Sequence, residues 1–135
     1  MISLRLAQRL QDLGLEWKPA AGDHFVVPGR GLDDDVFVLS DMTVEVHDLP
    51  DGPVIGFNGT TEWALDDVGK DEAVWLPRED QLRELLGRTF RALTRTADGY
   101  RVSTTLLDTD REFTAGDPAD AYGLALLDLL RASTG

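Results

Sequence analysis

The chain has 135 residues, enough for one domain with a single hydrophobic core, and its hydrophobic fraction of 42% is typical of a globular protein. It has no cysteine, which excludes disulfides, thiolate metal sites and cysteine nucleophiles. The net charge is −12, and residues 33–72 hold twelve acidic residues against a single basic one, Lys70. Because an acidic surface repels phosphate backbones, we expect no binding to nucleic acid and a basic protein as the natural partner. The alternative is that this charge serves solubility alone.

The N-terminal segment predicts a soluble, cytoplasmic protein without membrane association. Charged residues interrupt its leucines, so it lacks the continuous apolar run of a signal peptide or a membrane span. Residues 2–13 instead predict an amphipathic helix, in which Ile2, Leu6 and Leu10 share one face. Gly14 is the expected end of that helix.

The next part of the chain is typical of strands. Alternating or continuous apolar runs predict strands over 24–28, 36–39, 42–48, 53–58 and 72–76. Asp33, Asp34 and Asp35 are expected on the loop before the second of these strands. The sequence "LPDG" at 49–52 favours a type I turn that closes a hairpin, and Thr60 is expected to cap a short helix through Val68. Residues 72–76 are apolar on both faces, which suggests a central strand.

The C-terminal part predicts a helix, a hairpin and a second helix. The first helix runs from Pro77 to Leu86 and ends at Gly87. A helical leucine stripe continues beyond it, but the recurring threonines and the Asp98-Gly99 pair favour a hairpin over 88–107. On its first strand, Arg91, Leu93 and Arg95 are expected to share one face, which is typical of a solvated edge. Residues 111–114 add a last short strand, and Asp117-Pro118 start a terminal helix to Ala132. We therefore predict one α+β domain over residues 1–135, a largely antiparallel sheet built from hairpins with three to four helices packed against it.

One pair of residues has the spacing of metal ligands. Glu45 and His47 point the same way on a predicted strand, and His24 is the nearest candidate for a third ligand. The three aspartates at 33–35 lack the alternate spacing of a calcium loop. We favour a polar sheet face here. No Gly-x-Ser-x-Gly or phosphate-binding loop is present, so we predict no catalytic residue and no cofactor.

Two surface features favour binding. On the predicted helix over 60–68, Trp63 lies opposite the apolar side and beside Asp66 and Asp67, as a binding anchor would; the alternative is that a loop covers it. We predict that Trp63, Asp66 and Asp67 contact a partner together with Asp33, Asp34 and Asp35. On the terminal helix, Leu124 and Leu127 fall among polar residues. This indicates either a homodimer contact or burial of the helix on two sides.

The run "FVVPGRGLDDDVFVLSDMTVEVHDLPDGPVIGFNGTTEWALDDV", followed by "EAVWLPREDQLRELLG", resembles a family of short, uncharacterised bacterial proteins. Some of them carry a pilus-assembly label, which usually belongs to a Walker-type ATPase, and this chain has no P-loop. The resemblance implies a single compact domain and brings no functional residues with it.

These observations predict a non-catalytic accessory protein that binds another protein through an acidic face. The alternative is a small metal-dependent enzyme that uses Glu45, His47 and His24. Binding of a divalent metal to the purified chain separates the two hypotheses.

Overall fold

The computed structural model describes residues 1–28, 32–39, 44–49, 52–57, 67–69 and 73–134, with the backbone alone at 32–35, 44–49, 52–57, 67–69 and 134. Within these ranges lie three helices: α1 (Leu4–Asp12), α2 (Glu79–Leu86) and α3 (Pro118–Thr134). The strands are β1 (His24–Val27), β2 (Leu32–Val38), β3 (Val44–Leu49), β4 (Gly52–Phe57), β5 (Asp67–Gly69), β6 (Val74–Leu76), β7 (Phe90–Arg95), β8 (Tyr100–Leu106) and β9 (Thr109–Ala115). The α+β class is therefore confirmed, with three helices in the described part of the chain.

The described strands form three small sheets. Their orders are β2-β1-β6, β3-β4-β5 and β7-β8-β9, and the pairs β1–β2, β3–β4, β4–β5, β7–β8 and β8–β9 are antiparallel. The prediction that residues 72–76 form a central strand is not confirmed, because among the described strands β1 lies in the middle of this sheet and β6 at its edge. Apolar residues on both faces of a strand indicate that both faces are buried. A strand at the edge of a sheet can also be buried on both faces when other elements of the fold cover it.

Two compact units divide the chain, one of residues 1–16 and 76–135 and the other of residues 17–75. The unit of residues 17–75 is built on an aromatic cluster. Trp17, Phe25, Val27, Leu39 and Ala73 are buried together, and the half-buried Phe37 and Trp75 pack against them. The Phe25 ring lies 5.4 Å from the Trp17 ring and 5.5 Å from the Phe37 ring, in the range of favourable aromatic pairs.

Strand pairing corrects two local predictions in this unit. β2 begins at Leu32, which pairs with Val27, so the three aspartates lie on a strand and not on a loop. The predicted helix through Val68 is wrong at its C-terminal end, because Asp67–Gly69 is a strand paired with residues 54–56 of β4. Both errors have one cause: pairing with a segment distant in sequence overrides local propensity. The predicted hairpin around 49–52 is confirmed by the β3–β4 register, which ends at the Leu49–Gly52 pair.

The other unit is organised around α3, which packs against α1, α2, β8 and β9. The apolar face predicted for the first helix is confirmed, since Ile2, Leu6 and Leu10 are all buried. The other large buried side chains of this unit include Leu82, Leu86, Val102, Tyr122, Leu126 and Leu127. The N-termini of α1 and α3 are tied together, because the Ser3 backbone N–H donates to the Asp120 carboxylate at 2.7 Å.

Local stop and turn signals in this unit are confirmed. Gly14 and Gly87 end their helices at φ values of +99° and +55°, which favour glycine. The predicted hairpin is confirmed, with its turn one residue earlier than expected: Ala97 and Asp98 lie between Thr96 and Gly99, and the Thr96 N–H donates to the Gly99 carbonyl at 2.8 Å. Asp117 caps α3 by accepting from the Ala119 N–H at 2.8 Å.

Candidate functional site

The two units differ sharply in charge. Residues 17–75 contain thirteen acidic and three basic residues, a net charge of −10. Residues 1–16 and 76–135 contain twelve acidic and ten basic residues, a net charge of −2. Most of the negative charge of the chain is therefore concentrated in the unit with the aromatic cluster, which is the candidate functional site. We call residues 17–75 the acidic unit.

The partner-contact residues predicted in the acidic unit fall on two of its sheets or outside the described residues. Asp33, Asp34 and Asp35 lie on β2, in the segment where the register shifts between the Val27–Leu32 and Phe25–Phe37 pairs. Asp67 lies on β5, in register with Gly56. Trp63 and Asp66 lie outside the described residues.

The three metal-ligand candidates do not share a sheet. His24 begins β1, in register with Val38, whereas Glu45 and His47 lie on β3 of another sheet, in register with Gly56 and Val54. Among the side chains that the structure describes, no three His, Asp or Glu residues are close enough to hold a metal ion. The common face of Glu45 and His47 follows from strand alternation.

A buried carboxylate that the sequence analysis missed fixes the start of the acidic unit. Asp23 is only 2% exposed, and its Oδ2 accepts from the Trp17 indole N–H at 2.9 Å and from the Ala20 backbone N–H at 3.0 Å. A backbone hydrogen bond also connects residue 23 to the end of β2, since the Leu39 N–H donates to the Asp23 carbonyl at 2.9 Å. Asp23 thus joins the 17–23 loop to the end of β2 and holds Trp17 in the aromatic cluster.

The two described tryptophans of the acidic unit both belong to its core. Trp17 is 5% exposed, as expected of a residue covering the core, and Trp75 packs on the same cluster. The Trp75 indole Nε1 is buried and has no hydrogen-bond partner in the described part of the chain. An unpaired buried donor has a free-energy cost of about 1–3 kcal/mol, which reduces the net stabilisation that burial of the Trp75 ring provides.

No protein-family model, curated protein or solved structure matches this chain. The resemblance to short bacterial proteins therefore stays a prediction. Among the described residues, no helix combines the length and the apolar character that crossing a lipid bilayer requires.

The two leucines of α3 that were predicted to form a subunit contact, Leu124 and Leu127, differ in burial. Leu127 is 3% exposed and belongs to the core, which agrees with burial on two sides. Leu124 is half-buried and lines a groove of about 310 Å³ between α1, α3 and the end of β9. Arg5 and Arg9 line the same groove and have no ion-pair partner among the described residues. A subunit contact on this helix would therefore have Leu124, and not Leu127, as its apolar surface.

The hydrogen-bond and charge environment of Asp117 stabilises its ionised form. Partial burial raises the pKa of this carboxyl, but hydrogen bonds from the N-terminal ammonium and from the Ala119 N–H outweigh burial and leave the pKa below its ordinary value of 3.8. The ammonium lies 3.0 Å from the Asp117 Oδ2. Asp117 therefore has a structural role at the start of α3.

Proposed function

We propose that this protein is a non-catalytic accessory protein that binds a basic protein partner through the acidic unit. The observation that supports the proposal is the partition of charge, −10 in residues 17–75 against −2 in the rest of the chain. Charge concentrated in one unit attracts a basic surface over a Debye length, about 8 Å at physiological ionic strength. Such attraction raises the association rate more than it raises affinity.

Specificity needs a further contact, because charge alone discriminates poorly between basic partners. Buried aromatic anchors supply much of the binding energy in protein interfaces. Trp17 and Trp75 belong to the aromatic cluster of the acidic unit, so they are not available as anchors. Trp63 is the one other tryptophan in the sequence, and it lies between acidic residues, with Glu62 before it and Asp66 and Asp67 after it. The proposal therefore assigns the anchor to Trp63.

The test starts with a partner captured from the native lysate on the immobilised chain at low salt. Its association rate and affinity are then measured by surface plasmon resonance over a salt series. We expect the association rate to fall as salt rises, and Trp63→Ala to weaken binding by about 2 kcal/mol or more.

The matched control is Trp63→Phe, which keeps an aromatic ring and should retain most of the affinity. Thermal unfolding of both variants separates binding from folding. If Trp63→Ala lowers the melting temperature strongly, Trp63 is a core residue and the anchor assignment is wrong. If the association rate does not depend on salt, the acidic unit does not steer the partner.

A further inference from the structure

Among the described strands, β7 lies at the edge of its sheet. It pairs with β8 on one side, and no strand of the described residues pairs with its other side. Residues 91–95 are all exposed, since α3 packs against β8 and β9. An open strand edge offers a row of unpaired backbone donors and acceptors to an extended peptide.

The register of the hairpin identifies which backbone groups face the open edge. The Thr96 N–H donates to the Gly99 carbonyl at 2.8 Å, so Thr96 and Gly99 form a hydrogen-bonded pair. Bonded and non-bonded pairs alternate along an antiparallel ladder. The pairs Thr94–Arg101 and Ala92–Ser103 are therefore bonded, whereas Arg95–Tyr100 and Leu93–Val102 are not. It follows that the N–H and C=O groups of Leu93 and Arg95 point away from β8, toward the open edge.

The charge of this edge selects its occupant. Residues 88–96 contain three arginines, Arg88, Arg91 and Arg95, and no acidic residue, within a chain of net charge −12. All three are exposed and have no ion-pair partner among the described residues. Strand alternation places Leu93 and Arg95 on one face, whereas the register shifts between Phe90 and Ala92, so the place of Arg91 on that face stays a prediction.

Two further observations favour a hetero-partner over a second copy of the chain. Antiparallel pairing of β7 with another β7 that opposes Leu93 to Leu93 would place Arg91 opposite Arg95, which is destabilising. Leu93, at the centre of the strand, is 38% exposed and offers an apolar contact next to the two cations. An extended segment with an apolar residue two positions away from an acidic residue matches this arrangement, because residues two apart on a strand share one face, as Leu93 and Arg95 do.

We infer that the open edge of β7 binds an extended acidic segment of a protein partner by strand addition. Leu93 and Arg95 supply the backbone hydrogen bonds, and Arg91 and Arg95 pair with carboxylates of the segment. This surface is distinct from the acidic unit and has the opposite charge, so its partner segment differs from the basic partner proposed above.

The first test uses a defined probe, the fluorescein-labelled peptide Val-Glu-Thr-Val-Thr-Glu-Val with blocked ends, which carries its central Val and both Glu residues on one face. Fluorescence anisotropy at about 0.15 M salt measures its binding to the full chain. We expect Arg91→Gln/Arg95→Gln to weaken binding at least tenfold. The matched control is Arg5→Gln/Arg9→Gln, which removes two exposed arginines of α1 and should change the affinity less than twofold. Equal losses in the two variants, or no binding to the wild-type chain, would overturn the inference.

The second test separates the backbone edge from the side chain. Leu93→Pro removes an N–H that faces the open edge and leaves the bonds to β8, so it should weaken binding at least tenfold, whereas Leu93→Ala should weaken it less than about threefold. Equal affinities for the two variants would contradict strand addition.

A third measurement on the wild-type chain does not depend on how the proline variant folds. Amide hydrogen exchange by NMR should slow at Leu93 and Arg95 when the peptide binds, and stay unchanged at Ala92 and Thr94. Slowing at Ala92 and Thr94 alone, or a dimer of the chain in light scattering without peptide, would refute the assignment of the edge.

Discussion

Asp23→Ala tests how the acidic unit is held together at its start. In the native protein, Asp23 Oδ2 accepts two hydrogen bonds, from the Trp17 indole at 2.9 Å and from the Ala20 backbone at 3.0 Å. Alanine keeps the backbone bonds of residue 23 but removes both side-chain bonds. The Trp17 N–H, in a side chain 5% exposed, then has neither a protein acceptor nor free access to water.

The expected cost follows from these contacts. Each buried donor left unpaired costs about 1–3 kcal/mol, and the Ala20 N–H is only partly buried, which places its cost at the low end. Removal of a carboxylate that is 2% exposed also recovers part of its own desolvation cost. We expect Asp23→Ala to lower the free energy of unfolding by about 3 kcal/mol, a large share of the 5–15 kcal/mol that is typical of a domain.

Urea unfolding followed by far-UV circular dichroism measures this cost, because the signal reports mainly on the backbone and not on the tryptophans. A double-mutant cycle with Trp17→Phe then isolates the contribution of the Asp23–Trp17 bond. Trp17→Phe removes the donor, so Asp23→Ala should cost about 1–2 kcal/mol less in the Trp17→Phe background than in the wild type. A cost below about 0.5 kcal/mol, or a cycle without coupling, would refute the role assigned to the Asp23–Trp17 bond.

Three further predictions concern the tryptophan, turn and cap environments. Trp75→Phe should change the free energy of unfolding by less than about 1 kcal/mol in urea, because it removes a buried N–H that has no partner among the described residues; a loss as large as that of Trp17→Phe would contradict this. Gly99→Ala should destabilise by about 1–3 kcal/mol in calorimetry, since its Cβ would overlap the Ala115 carbonyl oxygen and lie 2.9 Å from the Gly116 Cα. Gly116→Ala is its control, because nothing lies within 4 Å of its Cβ. Asp117 has a lowered pKa, so its contribution is present above pH 3.8 and is lost as pH falls through the folded pKa. Asp117→Asn should therefore flatten the acid limb of stability against pH, and an unchanged acid limb would argue against that contribution.

The elements that were predictable from the sequence are those determined by a few neighbouring residues. Gly14 and Gly87 end their helices because the backbone there needs positive φ. The turn signal of Asp98-Gly99 outweighed the helical leucine stripe because a turn needs only local chemistry. Asp117 and Pro118 start α3 for the same reason.

The elements that were not predictable depend on distant segments. The aspartates of β2 have low strand propensity, yet Leu32 pairs with Val27 and the strand includes them. Asp67–Gly69 becomes a strand because β4 offers an edge. The division of the strands into three sheets also depends on these long-range pairs, which no local pattern contains.

The charge of the candidate site could be predicted from the sequence, whereas the positions and contacts of its residues could not. The excess of acidic residues can be counted in the sequence, and its concentration in one compact unit needed only the bounds of that unit. The Asp23–Trp17 bond was missed because an aspartate at the end of a loop has no signal that distinguishes a buried acceptor from a solvated one. The arginines near β7 were noticed in the sequence, but the open edge beside them follows only from the sheet order.

The central claim is that the acidic unit, and not net charge in general, attracts the basic partner. Two triple variants test it, each with a net charge of −9 where the wild type has −12. One is Asp33→Asn/Asp34→Asn/Asp35→Asn in the acidic unit, and the other is Asp12→Asn/Glu84→Gln/Asp108→Asn at exposed positions of the other unit. The measurement is the association rate of the captured partner at about 0.05 M salt, where screening is weak. We predict that the first variant slows association at least fivefold and that the second slows it less than twofold, whereas equal slowing by both would contradict the claim.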